Sequence, residues 1–290
     1  MATPLLDIKS RIESLEKLPT MPGVAQQIIQ LRANLNGGVN DLAKIVETDP
    51  SLAAQVLRYA RSPLYGYRGK VDSVHAAIAR VLGYEMVLNL ALGIAAAKPF
   101  KVPRNGPLGL DAFWQHALHS AALAQGLSTL VPAEIRPPAG MAYLAGLLHN
   151  LGHILLGHLF KQEFLILNKF IAQEPEKSLI DVELEVLGID HGQLGAWLMQ
   201  SWNLPEETIT AVKEHHNENY RGAHAIYPLL VLVSDRILKK HNLGDAATTE
   251  LPISVLQYLE ISEYEILAVT QRVMEKGADL VALANHMVSA

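Results

Sequence analysis

The sequence predicts an all-α protein built from two helical parts. Apolar residues recur at helical spacing along nearly the whole chain, and Pro, Gly and Asx residues cut it into helix-length segments. No convincing series of alternating strand patterns occurs. Half of the 290 residues are hydrophobic and only 18% are charged, which supplies a sizeable core and excludes a disordered or acidic-tail protein.

The first helix with a clear stripe covers 22–35, where Val24, Ile28, Leu31 and Leu35 share a face before the Asn36-Gly37-Gly38 stop. Asn40 is the expected cap of the next, which carries Leu42, Ile45 and Val46. Asp49-Pro50 starts another, because proline is tolerated at the first helical position and Asp accepts from the free amides that follow. Ser62-Pro63 ends it. Val71, Val74, Ile78, Val81 and Leu82 repeat the amphipathic pattern, and Met86 to Ala97 reads as a buried helix.

Three prolines and a glycine between Lys98 and Pro107 mark the clearest linker, a candidate hinge and protease-sensitive segment. The expected units are therefore an N-terminal helical bundle over 1–100, a second helical bundle over 108–245, and a C-terminal helical extension over 246–290. Within the last two, helices are expected near 111–130, 139–160, 162–173, 178–187, 191–202, 205–218, 223–241, 252–259 and 262–288.

The N-terminus shows no basic region followed by an apolar run and a cleavage site, so a cytoplasmic protein is expected. Between Pro137 and Phe160 no Asp, Glu, Lys or Arg occurs, enough length to cross a bilayer. His149, Asn150, His153 and His158 inside that stretch argue instead for a helix buried in protein, with its polar groups facing a shared site. The net charge of −5 leaves no global footprint for nucleic acid or an anionic membrane. A local cluster of Arg58, Arg61, Arg68, Lys70 and Arg80, interleaved with Tyr59, Tyr65 and Tyr67, keeps a nucleic-acid-binding regulator as a second alternative.

Twelve histidines and no cysteine exclude disulfides, thiolate metal sites and cysteine nucleophiles. Imidazole and carboxylate remain, the donors that suit divalent first-row metals. His116, His149 with Asn150, His191, His215 with His216, and Asp235 fall on or beside five separate helices. A bundle builds an interior metal site in this way. Taken singly, a histidine on an apolar helix face is usually a satisfied core residue or an exposed tip; as an ordered series they form a candidate ligand set. His119 and His153 share helix faces with His116 and His149 and are candidate pocket neighbours.

The series resembles the HD superfamily, whose pattern is a histidine, a His-Asp doublet and a distant aspartate that bind metal for phosphohydrolase chemistry. His116, His149 and Asp235 match that pattern, whereas Asn150 stands where it has aspartate. His191 and His215-His216 resemble the extra ligands of the two-metal HD-GYP phosphodiesterase branch, although residues 217–222 contain no Gly-Tyr-Pro. His153 occupies the place where His-Asp-x-Gly-Lys has lysine. In the first half, Leu18-Pro19-Thr20-Met21-Pro22, Asp49-Pro50-Ser51-Leu52, Leu57-Arg58-Tyr59-Ala60 and the run from Val74 to Gly83 resemble the HD-related output domain, HDOD.

That resemblance, from about residue 15 to 240, implies an HD-like helical bundle and a signal-transduction module lacking the superfamily's catalysis. A bridging carboxylate helps hold two cations together, and a neutral amide cannot supply its charge. A vestigial pocket, or one holding a single divalent ion (iron, manganese, zinc or nickel) on His116, His149 and Asp235, is thus expected, with no catalytic residue assigned. The alternative is a metal-dependent phosphohydrolase or phosphodiesterase acting on a nucleotide or cyclic dinucleotide. The expected partner is another signalling protein or a small-molecule ligand, with neither nucleic acid nor membrane.

Overall fold

The computed structural model describes residues 6, 8–13 and 18–289, and no strand occurs among them. After a short α1 (Ile8–Glu13), the N-terminal half runs α2 (Gly23–Ala33), α3 (Val39–Glu47), α4 (Pro50–Arg61), α5 (Val74–Ala77) and α6 (Tyr84–Ala97). Asp49 caps α4 as its sequence predicts, accepting from the Ser51 and Leu52 amides at 3.0 and 3.1 Å. Asn40 does not cap α3. Asp41 accepts from Gly38 N–H at 3.1 Å, so the helix begins earlier and Asn40 lies exposed in its first turn. Every residue from Met86 to Ala97 is buried, because α6 lies between α2 and the second half.

The second half runs α7 (Leu110–Ser128), α8 (Ala139–Leu148), α9 (Leu151–Leu159), α10 (Lys161–Gln173), α11 (Leu179–Leu187), α12 (His191–Ser201), α13 (Glu206–Glu214) and α14 (Ile226–Lys240). Then come α15 (Ile253–Leu259), α16 (Glu263–Met274) and α17 (Gly277–Ser289). The pair α7 and α8 forms the centre, with α14, α16 and α17 packed on α7 and α6 packed on α8. One apolar cluster runs from Met21 to Met287 through both halves, and Tyr143 donates to Tyr59 at 2.8 Å across them. Ile8 and Ile12 of α1 join a second cluster with Phe164, Val182 and Val186.

Two helices expected to be continuous are broken. The 139–160 helix divides at His149 and Asn150, where Asn150 adopts φ −97° and ψ 18° and turns the chain into α9. The 262–288 helix divides between Met274 and Gly277. Stretch 139–159 is long and apolar enough to cross a membrane, yet it is 94% buried inside the protein and is core. In the linker, Phe100 is buried and stacked on Trp202, whose indole N–H donates to Pro19 O at 2.7 Å.

Candidate metal centre

The break after α8 builds the site. It leaves His149 at the end of α8 and Asn150 at the start of α9, while His116 projects from the middle of α7 and Asp235 from α14. Asp190 accepts from Gln193 N–H at 2.8 Å, fixing the start of α12 so that His191 is its first residue. His215 and His216 follow α13 directly. Helices α9 and α12 can approach closely because Gly152 and Gly195 face each other: a Cβ on Gly152 would stand 2.7 Å from His191 C and 3.0 Å from Gly195 N.

These elements bring the donors into two adjoining sets. In the first, His116 Nε2 lies 2.8 Å from His149 Nε2, and Asp235 Oδ1 lies 3.0 and 3.5 Å from the two. In the second, His191 Nε2 lies 3.1 Å from His215 Nε2 and 3.2 Å from His216 Nε2. The opposite ring nitrogens are anchored. His149 Nδ1 donates to Gly146 O at 2.8 Å, His215 Nδ1 to Val212 O at 2.7 Å, and His191 Nδ1 to a carboxylate oxygen of Glu183 at 2.8 Å.

Because a carbonyl oxygen only accepts, the proton of each anchored neutral ring sits on Nδ1 and its lone pair on Nε2. His191, raised against its burial to about 9 by Glu183, carries a proton on Nε2 toward His215 and His216, and a cation bound there would displace it. Nitrogen donors about 2.0–2.1 Å from one zinc-like ion stand roughly 3 Å apart, which is the separation seen here. Both oxygens of Asp235 and the side-chain oxygen of Asn150 are buried without a hydrogen-bond partner. Buried acceptors are rarely left so. The His/Asp groups present can therefore hold a metal ion, and their imidazole and carboxylate chemistry fits one.

The electrostatics agree with that reading. Burial, reinforced by neighbouring histidines, drives His149 and His215 well below the usual imidazole range, and burial and His191 push His216 down to about 4. These rings are neutral at neutral pH, each with a lone pair free to bind metal. Burial opposes charge on His191 too, but the Glu183 carboxylate outweighs it and raises the ring to about 9. His116 is likewise raised against its burial by Asp235. Glu183 is held well below the carboxylate range despite burial, by His191 and His153.

The structure thus brings His116, His149 and Asp235 into one set and His191, His215 and His216 into the other. Asn150 donates its amide to Asp245 at 3.1 Å, and its side-chain oxygen is buried without a hydrogen-bond partner. His153 lies beside them with Nε2 donating to Glu183 at 2.7 Å. His119 turns away, with Nδ1 donating to Gln115 O at 2.7 Å. Sequence reasoning passed over Glu183 and Asp245. Glu183 had a signal, since it falls in the apolar stripe of α11 with Leu179, Val182, Val186 and Leu187. Asp245 lies in an aperiodic loop and had none. A cavity of about 370 Å³, lined by Phe113, His116, Asn150, Lys177, Lys239 and Asp245 among others, opens onto the first set.

The HDOD domain family matches residues 18–218. The protein is similar to the crystal structure of a candidate signal transduction protein from Marinobacter aquaeolei VT8, with 34% identity and a TM-score of 0.84 over 97% of this chain and 61% of that one. It shares its fold with an HDOD domain protein of unknown function from Geobacter sulfurreducens, at 20% identity, TM-score 0.76, and coverage of 97% and 96%. A candidate metal-dependent phosphohydrolase from Shewanella amazonensis SB2B shows the same fold at 19% identity and TM-score 0.65, covering 95% of each chain. An uncharacterized protein of Treponema pallidum (strain Nichols) is 23% identical over 91% of this chain, which spans half of that relative's length.

Proposed function

The chain belongs to the HDOD domain family, and on that footing we propose that it is a cytoplasmic signal-transduction output module that carries divalent metal in its histidine pocket and acts by binding rather than turnover. The observation that carries the reading is the convergence of five imidazoles, four of them buried, with a carboxylate whose oxygens have no hydrogen-bond partner. His116, His149 and Asp235 would hold one ion, and His191, His215 and His216 offer a second set. Iron, manganese, zinc and nickel all suit such donors.

Around that pocket the chain's own residues position and select. Glu183 fixes both His153 and His191 through its two oxygens, the carboxylate–histidine support that orients metal ligands. Gly146 O and Val212 O fix His149 and His215. The ligand would be a small molecule in the adjoining cavity or a signalling protein, and its preference for one packing of the helices would be the signal. Nucleic acid is the weaker partner, because Arg61 is engaged by Val71 O at 2.7 Å and Lys70 pairs with Asp72 at 3.3 Å.

Binding without turnover is favoured by Asn150, whose neutral amide stands where HD hydrolases carry a carboxylate. A second reading, a phosphohydrolase or phosphodiesterase acting on a nucleotide or cyclic dinucleotide, is favoured by the three-histidine set and the cavity with Lys239 in its wall. Bound divalent ions would polarise a phosphoryl oxygen and acidify water there. Assay of nucleotide and cyclic-dinucleotide hydrolysis with manganese or iron separates the two. The binding reading expects no turnover by the wild type; turnover that disappears in His149→Ala would establish the hydrolase instead.

A further inference from the structure

We propose that Asp245 is a metal ligand of the first donor set, supplying from a different part of the chain the negative charge that Asn150 lacks, so that the pocket takes two divalent cations rather than one. This rests on the reading of the pocket as a metal site and extends it to a residue outside the matched family span of 18–218.

Three observations carry it. One carboxylate oxygen of Asp245 comes together with donor atoms of His116, His149 and Asp235, all within 4.8 Å of one another. Its Oδ2 accepts from the Asn150 amide at 3.1 Å, which places this carboxylate against the residue whose charge is missing. Its Oδ1 is buried with no hydrogen-bond partner, as are both oxygens of Asp235 and the oxygen of Asn150. Two carboxylates and an amide oxygen thus meet in one pocket with more buried acceptor atoms than hydrogen-bond donors reach, an arrangement that cations satisfy.

The loop that delivers Asp245 is shaped for this position. Gly244 has φ +102°, a conformation that favours glycine, and a Cβ there would stand 2.9 Å from His116 Cε1 and 3.1 Å from its Nδ1. The chain after α14 therefore folds down onto the His116 ring before Asp245, and the following Ala246 is buried. A carboxylate at that position, against Asn150 and beside His116, His149 and Asp235, would offset the repulsion between two cations.

The test titrates the full-length, metal-stripped chain with manganese(II) alone, read by calorimetry and by elemental analysis after dialysis, with circular dichroism to verify folding of each variant. Wild type is expected to bind two ions. Asp245→Asn is expected to bind one, with affinity for the second lower by at least about 100-fold, and Asn150→Asp/Asp245→Asn is expected to regain the second ion by returning the charge to the neighbouring side chain. That double variant also answers the case in which Asp245→Asn folds poorly. Two ions bound by Asp245→Asn with wild-type affinity, or a single ion in wild type, would overturn the role of Asp245 while leaving the pocket a metal site. A wild type that binds no manganese would overturn the metal reading and this inference together.

Discussion

Gly152→Ala is the substitution in which fold and site are most tightly linked. The added methyl would stand 2.7 Å from the carbonyl carbon of His191, where ordinary contact begins at 3.4 Å, and the carbonyl oxygen lies nearer still. Both partners are backbone, so no flexible side chain can yield, and the start of α12 must retreat from α9 by at least about 0.7 Å, the difference between those distances. Overpacking of this kind costs up to about 3 kcal/mol, which for a chain of this size lowers the melting temperature by roughly 6 °C. Metal ligands need placement to within about 0.5 Å, so His191 leaves its set as well. Differential scanning calorimetry with and without manganese reads both effects: the variant melts lower, and the metal-induced gain in melting temperature shrinks. A variant that melts with wild type and keeps the full metal-induced gain would refute the packing argument.

Glu183→Gln leaves one acceptor for two ring N–H groups, so His191 loses its elevated basicity and metal affinity falls about 10- to 100-fold in calorimetric titration. In the ion-free protein His191 is protonated up to about pH 9. A metal must displace that proton, so apparent affinity should rise about tenfold per pH unit between pH 7 and 8 in wild type, and more gently in Glu183→Gln; equal slopes would contradict the pairing. The same raised value means that this pair's contribution to ion-free stability, full below the unfolded histidine value, declines as pH rises through about 9. Tyr143→Phe removes the buried hydroxyl contact to Tyr59 between the halves and should cost about 1–2 kcal/mol in urea unfolding. Trypsin should cut first after Arg104, in the exposed run 104–107, and the fragments should stay associated because the main apolar cluster spans the cut; separation on gel filtration would count against that shared core.

The helices were legible in the sequence because most bury one stripe: Leu42 and Val46 of α3, or Ile28 and Leu31 of α2, repeat at the spacing that packing requires. The convergence of the candidate ligand series was legible because histidines are conspicuous in apolar helices. What periodicity could not show is where a regular apolar pattern stops being one helix. Asn150 sits in such a run, yet its amide is used by Asp245, far along the chain, and its backbone leaves the helical region there. Tertiary contact decides that break, so the local pattern of 139–160 carries no trace of it. Asp245 was hidden for the complementary reason: it follows a glycine in a loop, where only the folded position beside His116 gives it meaning. Glu183 was readable in principle, since a carboxylate in an apolar stripe needs buried donors, and His153 and His191 are those donors.

The central claim is that the convergent imidazoles hold a divalent ion, and the metal content of the purified chain tests it most directly. Elemental analysis of wild type after metal loading and dialysis, measured beside His149→Ala and His191→Ala, should find ion bound in stoichiometric amount in wild type and a deficit in each variant. A wild type that retains no more metal than either variant would contradict the account.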